Sequence, residues 1–361
     1  MSGAVNVASQ DLFVAGAGGA HTWRIPSLLR AANGDVLAFC EARRDHAGDS
    51  GQIDVVLRRS RDDGLSWGAI ETVLAQPGMT CGNNCPVLER RTGRIVLTYC
   101  CNRSDGDEGA IRRGEAPRTV HVVTSDDHGA SWSPPRAITA AVKKRSWNWY
   151  GTGPGHGVQL ADGRLVIPCY HNVAARGDGG SQHAHLILSD DGGETWAIGA
   201  LVSLPSGESC AVQGNDGALY LNARSRKDVG CRVGARSCDG GASFRDEWYH
   251  DELPEPARYA GGCEGSLLAY DEETLLFSNP IGADEERCRL TLRASHDDGR
   301  SWNQGLVLCP GISAYSDLLR GADGSVLCLY ERGERGAYSQ ALTLARIAPS
   351  DLPLTAPSTQ G

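Results

Sequence analysis

SRDDGLSW at Ser60–Trp67 returns as SDDHGASW at Ser125–Trp132, SDDGGETW at Ser189–Trp196, SCDGGASF at Ser237–Phe244 and SHDDGRSW at Ser295–Trp302. These are five copies of S-x-D-x-G-x-[ST]-[WF], with starts 65, 64, 48 and 58 residues apart. Each position has a physical job. The Asp can hydrogen-bond backbone N–H groups of its own turn. The Gly supplies the positive φ that a tight hairpin demands. The closing aromatic buries a large apolar area against neighbouring strands. Repeated at such intervals, the boxes read as structural turns rather than as catalytic aspartates.

A second repeat interleaves with the first. Six turns each lead into an apolar run: NGDVLAFCEAR from Asn33, TGRIVLTYC from Thr92, DGRLVIPCYH from Asp162, DGALYLNAR from Asp216, EETLLFSNP from Glu272 and DGSVLCLYE from Asp323. After each of the first five comes another strand that runs into a box; the sixth is followed by YSQALTLARI with no box. Helical periodicity is nearly absent. Six all-β units predict a six-bladed β-propeller, and the missing sixth box fits a ring in which DLFVAG (Asp11–Gly16) completes the last blade. Length alone gives a soft count of roughly 2.4 domains. Division by six blades, about 60 residues each, instead predicts one domain over 1–361, with flexible termini at roughly 1–10 and 350–361.

Composition agrees. Glycine is 46 of 361 residues, well above a usual share of about 7%. The net charge of −9 argues against nucleic acid as the main partner, because phosphate binding rests on basic surface. No apolar stretch reaches the 18 or so residues of a spanning helix. Most of the 13 cysteines lie inside apolar runs, where a free thiol behaves as a small hydrophobe. The Cys81–Cys85 spacing (CGNNC) has no second pair to make a zinc site. His183 and His185 alternate on one strand and do not make a metal site either. The N-terminus has neither a basic n-region nor a continuous apolar h-region, so a reducing, cytoplasmic setting without cofactor is expected.

Polar groups follow the apolar runs: Glu41 and Arg43, Tyr170 and His171, Arg224, Asn279 and Glu331. In a ring of equivalent blades such strand ends converge on one rim near the axis, which predicts a single concave site.

At this point the residues resemble a family. WRIPSLL (Trp23–Leu29), the boxes and the six-unit pattern are similar to the exo-α-sialidases. CPVLE (Cys85–Glu89), GPGHGVQL (Gly153–Leu160), LNARS (Leu221–Ser225), GCEGSLL (Gly262–Leu268) and AYSDL (Ala314–Leu318) look like the animal cytosolic members. The resemblance implies an arginine triad of Arg24, Arg224 and Arg287, with Asp49 as acid/base beside Asp45 in the same loop. It also implies Tyr315 as nucleophile, Glu208 as its partner, Glu331 as the holder of Arg24, and Arg43, Asn83 and Tyr170 lining the sugar pocket. Arg289 would share the strand face of Arg287, the preferred of the two.

The chemistry suits these residue types. A sialic acid carries a carboxylate on its anomeric carbon, and arginine forks bind carboxylates bidentately without losing charge. A carboxylate nucleophile would meet that anion as a like charge, whereas a neutral phenol does not; sialidases are the tyrosine exception among retaining glycosidases. The phenol, of ordinary pKa about 10, needs a base such as Glu208. The implied partner is a sialylated glycan. Kdn or Kdo glycosides, a transglycosylating enzyme and a non-catalytic glycan-binding propeller are the alternatives. Trp147, Trp149 and Tyr150 are candidates either for stacking on the aglycone or for the core, and 102–118 reads as a solvated charged loop, a candidate to cover the rim.

Overall fold

The apolar runs become strands that are buried on both faces. Leu219–Ser225 and Cys231–Ser237 hide every residue, which is why they lack the in–out alternation of a half-exposed strand. The computed structural model describes residues 7–173, 181–226, 229–256, 262–282 and 286–354. The outermost parts of the expected flexible termini, 1–6 and 355–361, lie outside the described residues.

In chain order the strands are β1 (Ala8–Val14), β2 (Thr22–Arg30), β3 (Val36–Arg43), β4 (Ile53–Ser60), β5 (Glu71–Leu74), β6 (Met79–Glu89), β7 (Arg94–Arg103), β8 (Thr119–Ser125) and β9 (Arg136–Ala137). They continue as β10 (Trp147–Thr152), β11 (Val158–Gln159), β12 (Leu165–Val173), β13 (Gln182–Ser189), β14 (Ala197–Leu201), β15 (Ser206–Gln213), β16 (Leu219–Ser225), β17 (Cys231–Ser237) and β18 (Asp246–Pro254). The last are β19 (Ser266–Ala269), β20 (Leu275–Pro280), β21 (Cys288–Ser295), β22 (Leu306–Arg320), β23 (Val326–Glu334) and β24 (Ala337–Ile347). Two short helices, α1 (Glu108–Arg113) and α2 (Thr139–Val142), interrupt them. The protein is all-β, and its pairing is almost entirely antiparallel between sequence neighbours. One exception is β1, which pairs with β24 so that Phe13 faces Leu342. Among the described residues no helix is long and apolar enough to cross a membrane.

The core lies between groups of strands, in clusters that follow the chain. Leu37, Phe39 and Leu57 pack on Ile95, Leu97 and Tyr99; Val87, Val96 and Val122 pack on Leu165, Ile167 and Ile187. Val166 and Leu186 meet Leu219, Leu221 and Val233, and Val212 and Tyr220 meet Leu267, Phe277 and Trp302. Leu276, Leu290 and Leu292 meet Leu318, Val326 and Cys328. A sixth cluster joins the chain's ends, Phe13, Trp23 and Ala38 against Leu327, Leu329 and Leu342.

The boxes lock these groups together. In the first, Ser60 Oγ donates to Asp62 Oδ1 at 2.8 Å and accepts from Gly64 N at 2.7 Å, and Ser66 N donates back to Asp62 Oδ1 at 2.8 Å. The other four repeat the pattern. The Ser66 hydroxyl, Ser66 N and the Ser60 hydroxyl hold the Asp62 carboxyl down at about 2. The box glycines all have positive φ, and each sits against the preceding group of strands. A Cβ on Gly129 would lie 3.0 Å from Leu37, on Gly193 2.9 Å from Val96, on Gly241 3.1 Å from Leu186 and on Gly299 2.6 Å from Tyr220. For Gly64 the neighbour is Leu327, at 3.2 Å on β23. The closing aromatic is fully buried in two boxes, at Trp196 and Trp302, and half-buried at Trp67, Trp132 and Phe244.

Candidate active site

Five strands carry bulges beside one cavity. Register shifts interrupt β2 between Arg24 and Ser27, β6 between Gly82 and Cys85, β10 between Trp147 and Tyr150, β15 between Ser206 and Ser209, and β22 between Ser313 and Ser316. A bulge adds an unpaired residue and re-aims its side chain. The residues so presented include Ile25, Asn83, Trp149, Glu208 and Tyr315, and all five line one cavity of about 290 Å³. Two of them pay for the position in backbone strain: Ile25 at φ 61° and Asn83 at φ 55°. For a β-branched residue such as Ile25 this region is a genuine outlier.

Tyr315 forms the floor. Its hydroxyl donates to Glu208 Oε1, and the other Glu208 oxygen accepts from Arg224 Nη1 at 2.7 Å. That same nitrogen lies 3.5 Å from the Tyr315 oxygen. Burial opposes ionisation of Glu208, but Arg224 and the Tyr315 hydroxyl outweigh it and hold the carboxyl below its ordinary range. Burial and the Glu208 charge push the Tyr315 phenol well up, against the pull of Arg224, Arg287 and Arg24. The resting pair is therefore a neutral phenol on a carboxylate.

Three guanidiniums surround the phenol. Arg24 and Arg287 stand 5.1 and 5.6 Å from the Tyr315 ring centre, and Arg224 touches its oxygen. Each is anchored. Glu331, wholly buried, accepts from Arg24 Nε at 2.9 Å, from Arg24 Nη2 at 3.1 Å and from Ile25 N at 3.1 Å. Arg287 Nη2 donates to Gly262 O at 3.1 Å. Arg289 departs from the expected shared face: at φ 58° it stands between the paired Cys288 and Leu290, opposite extra residues on β22, and its side chain is exposed. Its positive φ breaks the two-residue alternation on which the sequence expectation rested.

Across the pocket Asp49 lies 2.7 Å from Arg43 and 3.7 Å from Arg24. Burial opposes its ionisation, yet Arg43 and then Arg24 hold it below the usual carboxylate range. Asp45 bonds only its own loop, at Gln52 N. Arg43 is fixed by Glu41, which accepts from Nε at 2.9 Å and from Nη2 at 2.7 Å, and whose other oxygen accepts Asn83 N at 2.8 Å. Tyr170 closes the side wall, where its hydroxyl accepts Trp149 Nε1 at 3.3 Å.

All ten expected residues thus meet at one place; nine line the cavity and Glu331 stands behind Arg24. The strand ends behave less uniformly. His171 stacks on Trp147 at 3.7 Å and contacts His185, and Asn279 bonds Arg293 and Pro254 O, so neither reaches the pocket. Trp147 and Tyr150 belong to the core while Trp149, between them, lines the site. The stretch 102–118 is not merely a solvated loop. It folds α1, capped by Asp107, and places Glu108, Arg112 and Arg118 on the wall. Buried Arg118 donates to Asn83 Oδ1 at 2.7 Å and stacks 4.2 Å over Trp149. Arg226, two residues beyond Arg224 on the same face, also lines the pocket; burial and the Arg224 charge bring it down to about 10. Its parity with Arg224 was the available signal. Nothing in the local sequence marked Arg118.

An arginine-walled pocket with separate carboxylates and a buried phenol, carried on an all-β scaffold with Asp-box turns, defines a site built for an anionic sugar. The family described as a BNR repeat-like domain matches residues 34–328. A sialidase of Micromonospora viridifaciens is 32% identical over 96% of this chain, which spans 55% of that protein. Sialidase-2 of Cricetulus griseus is 30% identical, over 87% of this chain and 89% of its own length. Among solved structures a Hadza microbial sialidase superposes with a TM-score of 0.81 at 26% identity, over 95% of this chain and 69% of that one. The chain belongs to the exo-α-sialidase family of glycoside hydrolases with BNR repeats.

Proposed function

We propose that this protein hydrolyses terminal α-linked sialic acid from glycoconjugates with retention of configuration, as a single closed six-bladed propeller whose axis holds the site. Three features support the ring: core clusters that run from each strand group to the next and from last to first, box glycines seated on the preceding group, and β1 completing the sheet of β24.

The observation that carries the catalytic reading is the Tyr315–Glu208 pair inside three arginines, with Asp49 opposite. Arg24, Arg224 and Arg287 take the substrate carboxylate as charge-assisted, fork-type hydrogen bonds. Tyr315 Oη attacks the anomeric carbon as Glu208 accepts its proton, and Asp49 protonates the departing glycosidic oxygen. In the second half Asp49 takes a proton from water, the water oxygen attacks the same carbon, and Tyr315 leaves with the proton returned by Glu208. Asp49 must first gain a proton. In the free site Arg43 and Arg24 oppose that; a substrate carboxylate bound to Arg24 adds negative charge beside Asp49 and favours it. Arg43, Asn83 and Tyr170 line the remainder of the sugar pocket.

The test is Tyr315→Phe. It should lose nearly all turnover and keep affinity for a sialic acid analogue, while NMR of the wild-type reaction shows the α anomer first. Near-normal turnover, or β product, overturns the mechanism. A panel of Neu5Ac, Kdn and Kdo α-glycosides assigns the sugar.

A further inference from the structure

Cys81 and Cys85 are close in sequence, in CGNNC. The strand register separates them: Cys85 lies opposite Thr98, and Cys81 lies directly opposite Cys101 on β7. The Cys81 and Cys101 sulfurs are 2.9 Å apart. A disulfide bond is about 2.0 Å long, and directly cross-strand Cα atoms lie about 4.5–5.5 Å apart, inside the span a disulfide bridges. Little backbone movement would be required to join them. Both are free thiols and buried. The half-buried Gln76 side chain caps them, its Oε1 accepting from the sulfurs at 3.8 and 3.6 Å.

We propose that Cys81 and Cys101 form a redox-reversible disulfide site, closed by exchange with a low-molecular-weight disulfide. A thiolate of the pair attacks one sulfur of that disulfide and releases one thiolate, giving a mixed disulfide on that cysteine. The other cysteine's thiolate then attacks that cysteine's sulfur and releases the second. The protein loses two electrons and two protons, and the small disulfide becomes two thiols. The hydrogen bond between the two thiols favours one thiolate at the expense of the other, and Arg118 nearby acts against the cost of burying that charge.

The position ties the bridge to the pocket. Cys81 lies at the foot of the β6 bulge that presents Asn83, and Cys101 precedes Asn102, whose Oδ1 accepts from Arg118, the residue that holds Asn83. A covalent link there pins the bulge from both strands.

The experiment incubates the native protein with oxidised glutathione, then quenches with acid, alkylates and maps peptides by mass spectrometry. A parallel sample refolds from urea in a glutathione buffer, where burial no longer limits access. The expected result is a loss of two hydrogen masses, a Cys81–Cys101 linked peptide, slower thermal inactivation of the oxidised form, and reversal by dithiothreitol. Cys81→Ser and Cys101→Ser should abolish the mass loss and the slowing, whereas Cys85→Ser should keep both. Free thiols at both positions after refolding, or a link through Cys85 or Cys100 instead, overturns the proposal.

Discussion

Removing Glu331 is a sharp test of how the clamp is held. Its buried carboxylate bonds Arg24 twice, at 2.9 and 3.1 Å, and Ile25 N at 3.1 Å. Glu331→Ala strands a largely buried guanidinium and frees an Ile whose φ of 61° is otherwise fixed. Deleting one partner of a buried ion pair costs about 3–5 kcal/mol. With 361 residues and an unfolding entropy of about 2.1 cal/mol/K per residue, that is about 4–7 °C in Tm. A loosened Arg24 also forfeits a charge-assisted hydrogen bond to the substrate carboxylate, about 1.5–3 kcal/mol, or about 10–150-fold in kcat/KM. Glu331→Gln separates the two effects. Arg24 Nε and Ile25 N share one oxygen, Oε1, which an amide carbonyl can replace; only the bond from Nη2 to Oε2 meets an N–H₂. The Gln variant should recover most of the Tm and part of the activity. Differential scanning fluorimetry and hydrolysis of a fluorogenic sialoside measure both. Wild-type Tm and kcat/KM in Glu331→Ala, or a Gln variant no better than Ala, refutes the reasoning.

Three further outcomes are expected. Arg287→Ala should reduce kcat/KM at least tenfold, on the same hydrogen-bond estimate, and Arg289→Ala should leave it near wild type; steady-state kinetics showing the reverse would exchange their roles. His171 is pushed down to about 3, first by burial and then by His183 and Lys144, so between its ordinary value of about 6.5 and that limit the unfolded chain binds a proton the folded one refuses. Stability should therefore fall with falling pH, by about 1.4 kcal/mol per pH unit from this residue, and urea titrations from pH 7 to 5 should show a shallower fall for His171→Gln. Gly299→Ala should destabilise more than Gly163→Ala: both have positive φ, but a Cβ meets Tyr220 at 2.6 Å in the first and nothing within 4 Å in the second. The shared strain is about 1–2 kcal/mol, the clash adds about 1–3, and equal Tm losses would remove the box–neighbour contact from the account.

Much of the scaffold was legible because its signals are local. A turn that needs Asp acceptors, a positive-φ Gly and a closing aromatic writes all three into eight residues, so Ser60–Trp67 could be recognised wherever it recurred. The apolar runs between the boxes were legible for the same reason. The site residues were legible through resemblance, since Arg24, Glu208 and Tyr315 carry no periodic signature of their own. Where the sequence reading relies on alternation it misplaces a side chain, giving Arg289 the face of Arg287, and charge alone does not tell that Arg118, in a loop expected at the rim, is buried.

By itself, then, the sequence determined the all-β architecture, the turns, and the residue types a carboxylate-bearing sugar demands. Only the tertiary structure decided which side chains meet. The bulges on β2, β6, β10, β15 and β22 override the period of two and aim Ile25, Asn83, Trp149, Glu208 and Tyr315 at one centre. Register across β6 and β7 set Cys81 opposite Cys101. Packing at that centre brought Arg118 under Asn83. Bulges, register and long-range packing are set by the balance of contacts over the whole molecule, and no short stretch of chain encodes them.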